Sequence, residues 1–151
     1  MVGETLPHAS ELSSDARSAR GWTHRRFFEL LESLGRLRVI SACGPSTFEA
    51  LCRLHSWSIE RGFLNAITPE YHWHLAVSRL RHLRSADEVH ARSGRRVLFF
   101  ELRESDSANP FLSIYLHREK GAEFEPERER AFAAAHAELS AGVALASEER
   151  G

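Results

Sequence analysis

Thr68-Pro69-Glu70-Tyr71-His72-Trp73-His74-Leu75 carries the densest chemistry in this chain of 151 residues. Two imidazoles stand two positions apart among aromatic neighbours. Phe63-Leu64-Asn65-Ala66-Ile67 lies just upstream, apolar apart from one amide. Arg79, Arg81 and Arg84 follow downstream. A neutral imidazole offers a ring nitrogen to a metal. Guanidinium forks bind carboxylates through paired hydrogen bonds. Together these groups suit a flat, anionic, metal-bearing ligand. They also suit a plain sheet edge whose arginines pair with Asp87 and Glu88.

Geometry narrows the first reading. In an extended stretch, residues i and i+2 share a face, their origins about 6–7 Å apart. His72 and His74 then point one way, and Tyr71 and Trp73 the other. Such a pair supplies two corners of a mononuclear zinc or iron site, for which His82, Glu70 and Glu101 are candidate third ligands. It does not supply both axial ligands of one haem, because those approach the iron from opposite sides of the macrocycle. One histidine would ligate and the other would stand beside it.

Other signals are weaker. Arg95-Arg96 beside Gly94 reads as a phosphate contact or as a basic hairpin corner. His24, His55, His82, His90, His117 and His136 are scattered and read mostly as surface groups. No glycine-rich loop follows a strand to cradle a phosphate, and no Gly-x-Ser-x-Gly is present. A net charge of −1 gives no global attraction to nucleic acid or to an acidic membrane.

The elements that position these groups follow from periodicity. Residues 1–20 read as a flexible tail, and residues 21–151 as a single domain. Thr23 is placed to cap a helix with Phe27, Leu30, Leu31 and Leu34 on one face, stopped by Gly35. Residues 37–42 alternate as a strand, Gly44-Pro45-Ser46 turns, and residues 48–55 form a second strand with an apolar side of Phe48, Ala50, Cys52 and Leu54. Residues 56–62 read as a connection and residues 63–67 as a third strand. Residues 75–90 fit a helix or a twisted strand by pattern alone. Strands over 96–103 and 111–117 suit an antiparallel pair. Pro126 opens a helix whose face runs through Phe132, Ala135, Leu139, Val143 and Ala146. The expected class is α+β, an antiparallel β-sheet flanked by helices. No run approaches the roughly 20 apolar residues of a membrane-spanning helix. The N-terminus has no apolar core like that of a secretory signal, so a cytoplasmic protein is expected. Cys43 and Cys52 are expected as free thiols in or near the core.

Read in order, residues 63–116 resemble the haem-utilisation family of the HemS, ChuS and single-unit ChuX/HutX type. The likeness lies in Phe63-Leu64-Asn65-Ala66-Ile67-Thr68-Pro69 leading to His74-Leu75. It continues in Val97-Leu98-Phe99-Phe100-Glu101-Leu102 followed by Phe111-Leu112-Ser113-Ile114-Tyr115-Leu116, and in Pro126-Glu127-Arg128 opening the last helix. The resemblance implies one antiparallel unit, homodimer formation, and cytoplasmic binding of haem by a carrier or store, or by a ring-cleaving enzyme. It implies His74 as the iron ligand and an extended chain from His74 to about Arg84. His72 then becomes an added ligand or a bystander, since the family usually carries neither His nor Trp before His74. Arg79, Arg81 and Arg84 become propionate partners, and Tyr71 and Trp73, with Phe63 and Phe99, flank the macrocycle. The alternative from the residues alone is a metal-dependent enzyme using a His72/His74 site, and a third reading makes both histidines structural.

Overall fold

The computed structural model describes residues 21–146. The expected tail and residues 147–151 lie outside them. Within them the chain forms helix α1 (His24–Ser33), strands β1 (Arg36–Cys43), β2 (Ser46–Arg53), β3 (Trp57–Glu60), β4 (Phe63–Ile67) and β5 (His72–Ala76), and a 3-10 turn (Val77–Arg79). Strands β6 (His82–Val89), β7 (Arg96–Arg103) and β8 (Leu112–Leu116), helix α2 (Pro126–Leu139) and the short strand β9 (Val143–Ala144) complete it. The class is α+β, as expected, but the strands divide into two sheets. A six-stranded sheet runs β2-β1-β8-β7-β6-β9, and a three-stranded one runs β3-β4-β5. Every pairing between these strands is antiparallel.

Helix α1 starts where Thr23 accepts a hydrogen bond from the Arg26 amide at 3.1 Å, satisfying one orphan donor of the first turn. Its apolar stripe buries Phe27, Phe28 and Leu31. Phe27 meets Phe100 of β7 edge-on at 5.4 Å. Phe28 meets Trp57 of β3 at 5.9 Å and Trp73 of β5 at 6.4 Å. Helix α2 packs Phe132 against the same Phe100 at 5.2 Å. Both helices therefore cover one face of the large sheet, and the small sheet closes over α1. Removing Phe27, Phe28, Leu31 and their partners from water is the dominant favourable term.

Several expectations are corrected. Residues 56–62 are not only a connection. Trp57 and Ile59 alternate with Ser58 and Glu60 as strand β3, paired with β4. The link between them is Arg61-Gly62, both at positive φ (53° and 77°), the two-residue hairpin turn that matches strand twist. The last helix stops at Leu139 instead of running on to Ala146. At Gly142 (φ 85°) a Cβ would lie 2.5 Å from the His82 ring, so the chain passes close to β6 and adds β9 to its edge. The extended path from His74 to Arg84 is broken by the 3-10 turn, which carries the chain from the small sheet to the large one. Cys43 is exposed at a hairpin end and Cys52 is half-buried. The apolar side of β2 is largely open, with Phe48 70% exposed.

Arg128 ties the layers together. Its guanidinium donates to the carbonyls of Leu34 at the end of α1, of Arg36 opening β1 (2.6 Å) and of His117 just past β8 (2.9 Å). Burial pulls its pKa down from the usual arginine range. Arg128→Met keeps the stem and removes the donors. The expected loss of stability is about 2 kcal/mol, the scale of charge-assisted hydrogen bonds. A lower urea midpoint with an unchanged slope is the readout.

Candidate functional site

Strand β5 is built by alternation. Trp73 and Leu75 pack against the core, so His72 and His74 must face outward. Strand β4 repeats the pattern: Leu64 and Ala66 are fully buried, whereas Phe63 (45%) and Ile67 (54%) are exposed. Register then sets the neighbours, with Asn65 opposite His74 and Ile67 opposite His72. The outer face of the small sheet thus gathers two imidazoles, one amide and two exposed apolar side chains. The hairpin loop is held by Thr68, which is buried. Its hydroxyl donates to the Tyr71 carbonyl and accepts from the Glu70 and Tyr71 amides.

The two imidazole centroids lie 6.4 Å apart with planes at 86°. His74 Nδ1 is 2.7 Å from Asn65 Oδ1. The Asn65 amide nitrogen donates to the Phe63 carbonyl at 3.2 Å, which leaves Oδ1 to accept. In the neutral imidazole the proton then sits on Nδ1 and the lone pair on Nε2. A carbonyl partner that fixes the tautomer of an imidazole is the arrangement metal-binding histidines use. Asn65 belonged to the motif in sequence but had no assigned role. Its amide in the middle of an apolar strand was the available signal.

The other sequence candidates sit elsewhere. Tyr71 and Trp73 face inward, opposite to the histidines. The Tyr71 hydroxyl donates to the Arg53 carbonyl, and burial pushes its pKa up. Arg79 pairs with Glu104 at 2.6 Å, and Arg81 donates from Nε to the Ser78 carbonyl. Both are exposed beside the turn that follows β5. Arg84 lies on the large sheet and pairs at 2.9 Å with Glu101, which Arg103 also holds. Phe99 stacks on Tyr115 at 4.6 Å, also on the large sheet. Of the candidate third ligands for a bare metal, Glu101 is paired, Glu70 is exposed in the hairpin loop, and His82 packs against Gly142. Among the described residues no cluster of three or more His, Cys, Asp or Glu could hold a metal ion.

No protein-family model matches the chain, and no curated protein matches it in sequence. Solved structures do share its fold. The protein ChuX matches at a TM-score of 0.65 and 16% identity, over 76% of this chain and 71% of that one. Holo-PhuS, a heme-binding protein from Pseudomonas aeruginosa, matches at 0.59 and 14%, over 71% of this chain and 30% of that one. The heme-degrading enzyme ChuS from Escherichia coli O157:H7 matches at 0.59 and 15%, over 71% and 32%. The fold is therefore that of a ChuX-type unit. The chain spans about 70% of ChuX and about a third of the two larger proteins.

Nitrogen-resolved NMR of the ligand-free protein is expected to show His74 as a single tautomer protonated on Nδ1. In Asn65→Leu the ring should shift toward a mixture of tautomers while His72 is unchanged. Identical His74 spectra in both proteins would refute the anchoring role of Asn65.

Proposed function

We propose that this chain binds haem in a haem-utilisation role, with Nε2 of His74 as the nitrogen that would hold its iron. The observation that carries this reading is the anchored His74 ring, its free nitrogen directed to an exposed sheet face that also bears Phe63 and Ile67. The donor set fits the group: one imidazole nitrogen for iron and apolar side chains for a macrocycle. Support also comes from the fold, which is shared with the heme-binding protein ChuX and with PhuS. Haem bound there would supply a redox-active iron. The protein's own part is to present Nε2, to shield one face of the ring, and to hold His72 alongside.

The remaining roles follow from placement. His72 stands on the same side of the strand as His74 but without an anchoring partner among the described residues, so its role would be secondary. Arg79 and Arg81 are the nearer propionate partners by sequence and exposure. Their present bonds are surface contacts of small worth, free to exchange. Arg84 is the weaker partner, because it lies on the large sheet and is engaged by the buried Glu101. Tyr71 and Trp73 support the strand from behind. The outer face of one sheet covers only one side of a flat ligand, whereas pockets bury roughly 70–90% of theirs. A homodimer would provide the second wall. The exposed position of the site favours carriage over ring cleavage. The thiols of Cys43 and Cys52, which form no disulfide, accord with a cytoplasmic setting.

Hemin titrated into the ligand-free protein should give a sharpened, shifted Soret band at saturation. His74→Ala should weaken binding by at least about tenfold, the factor that corresponds to roughly 1.4 kcal/mol. His72→Ala should change it little. An unshifted spectrum in the parent protein would overturn the haem reading. With ascorbate under oxygen, a carrier should keep its Soret band, and conversion to an open-chain pigment would instead establish degradation. Light scattering with hemin should give twice the chain mass.

A further inference from the structure

The six-stranded sheet has a second face that neither helix covers. At one end of it, between β1, β8, β7 and the β6–β7 hairpin, lies a cavity of about 340 Å3. Its floor is apolar: Ile40, Val97, Tyr115 and Phe124. Its rim is cationic, with Arg38, Arg95, Arg96 and Arg118, and no carboxylate side chain lines it. Glu49 and Glu88 stand opposite Ile40 and Val97 in the strand register, and Arg38 answers Glu49, so the excess of positive charge lies at the Arg95–Arg118 end of the cavity.

The four arginines are not equivalent. Arg96 is engaged on both sides, by Asp87 at 2.7 Å and by Glu129 at 2.5 Å. Those two carboxylates push its pKa above the usual arginine range. Arg38 leans to Glu49 at 3.2 Å. The Arg118 guanidinium carbon lies 4.2 Å from the Phe124 ring centroid, and the group donates to the Arg96 carbonyl at 2.8 Å. Its one carboxylate partner among the described residues, Glu123, is 4.0 Å away and almost wholly in solvent. The Arg95 guanidinium has no hydrogen bond or ion pair among the described residues. The Tyr115 hydroxyl likewise makes no hydrogen bond there. Burial, with Glu101, Glu88 and Glu49 nearby, pushes its pKa up, so at neutral pH it stays a donor.

We infer that this cavity is a second ligand site, one that takes a small aromatic carboxylate. The acid group would meet Arg95 and Arg118 at the mouth, and the ring would rest on Ile40, Val97 and Phe124 beside the Tyr115 ring. The volume is at the small end of ligand pockets, which run from about 300 to 1,000 Å3. That limits the body to one or two fused rings. The site is distinct from the His74 face. Phe100 points from the large sheet toward the helices, whereas Tyr115 and Val97 belong to its other face. The whole core lies between the two sites.

The test is a titration of the full, haem-free chain with 1-naphthoate, followed residue by residue in two-dimensional amide NMR. 1-Naphthylmethanol serves as the uncharged counterpart. Saturable shifts are expected around residues 38–40, 95–97, 115–118 and 124, with little change at residues 72–74. Arg95→Ala and Arg118→Ala should each weaken binding about tenfold, the loss of one charge-assisted contact. His74→Ala should leave it unaltered. The alcohol should bind more weakly by a similar factor. Equal affinity for acid and alcohol, or shifts centred on His74, would overturn the proposal. Because the readout does not involve hemin, its failure is separable from failure of the haem reading.

Discussion

Phe27 and Phe28 are adjacent on one short helix, and the molecule hangs on that adjacency. Neighbouring positions on a helix point about 100° apart, so the two rings face different partners. Phe27 goes to Phe100 of the large sheet and Phe28 to Trp57 and Trp73 of the small one. Helix α1 is thus a wedge between two sheets. The inner face of the small sheet is decided by this contact, and its outer face is what remains. The chemistry of the histidines is therefore set by the packing of Trp73, a residue that points away from them.

The same logic explains what the sequence disclosed. Local alternation was enough to place His72 and His74 on one side of an extended stretch and Trp73 on the other. Local capping was enough to start α1 at Thr23 and α2 at Pro126. The strand Trp57–Glu60 is obscured in sequence by Ser58 within it, by Ser56 just before it and by Arg61-Gly62 after it, although Trp57 and Ile59 do alternate. The terminal helix was overextended because Val143 and Ala146 continue an apolar spacing. Gly142 and the pairing of Val143 with Leu83 override that pattern. The split into two sheets could not be read locally, since it depends on which strands find each other across long sequence separations. The partnership of Asn65 with His74 is of this kind too. It exists only because of the hairpin register.

Electrostatics show a related division. Among the described residues much arginine charge is held within the fold, in pairs such as Arg38 with Glu49, Arg79 with Glu104, and Arg84 and Arg103 with Glu101. Arg128 serves three carbonyls in place of a carboxylate. A near-zero net charge therefore coexists with cations that have no strong partner, and two of them, Arg95 and Arg118, stand at one end of the uncovered sheet face. Composition reports the balance and hides the arrangement.

The tight turn Arg61-Gly62 has a consequence for how such a sheet can change over evolutionary time. It fixes the alignment of β3 with β4, and the Thr68 loop fixes that of β4 with β5. A strand displaced by one residue presents its other side chains to solvent. Loss or gain of a single residue within Thr68-Pro69-Glu70-Tyr71 would turn both imidazoles into the core and push Trp73 out. The surface of this sheet can thus drift by substitution, while its length is close to frozen. Among distant kin of this chain, gaps should be rarer between residues 57 and 76 than sequence divergence alone would suggest.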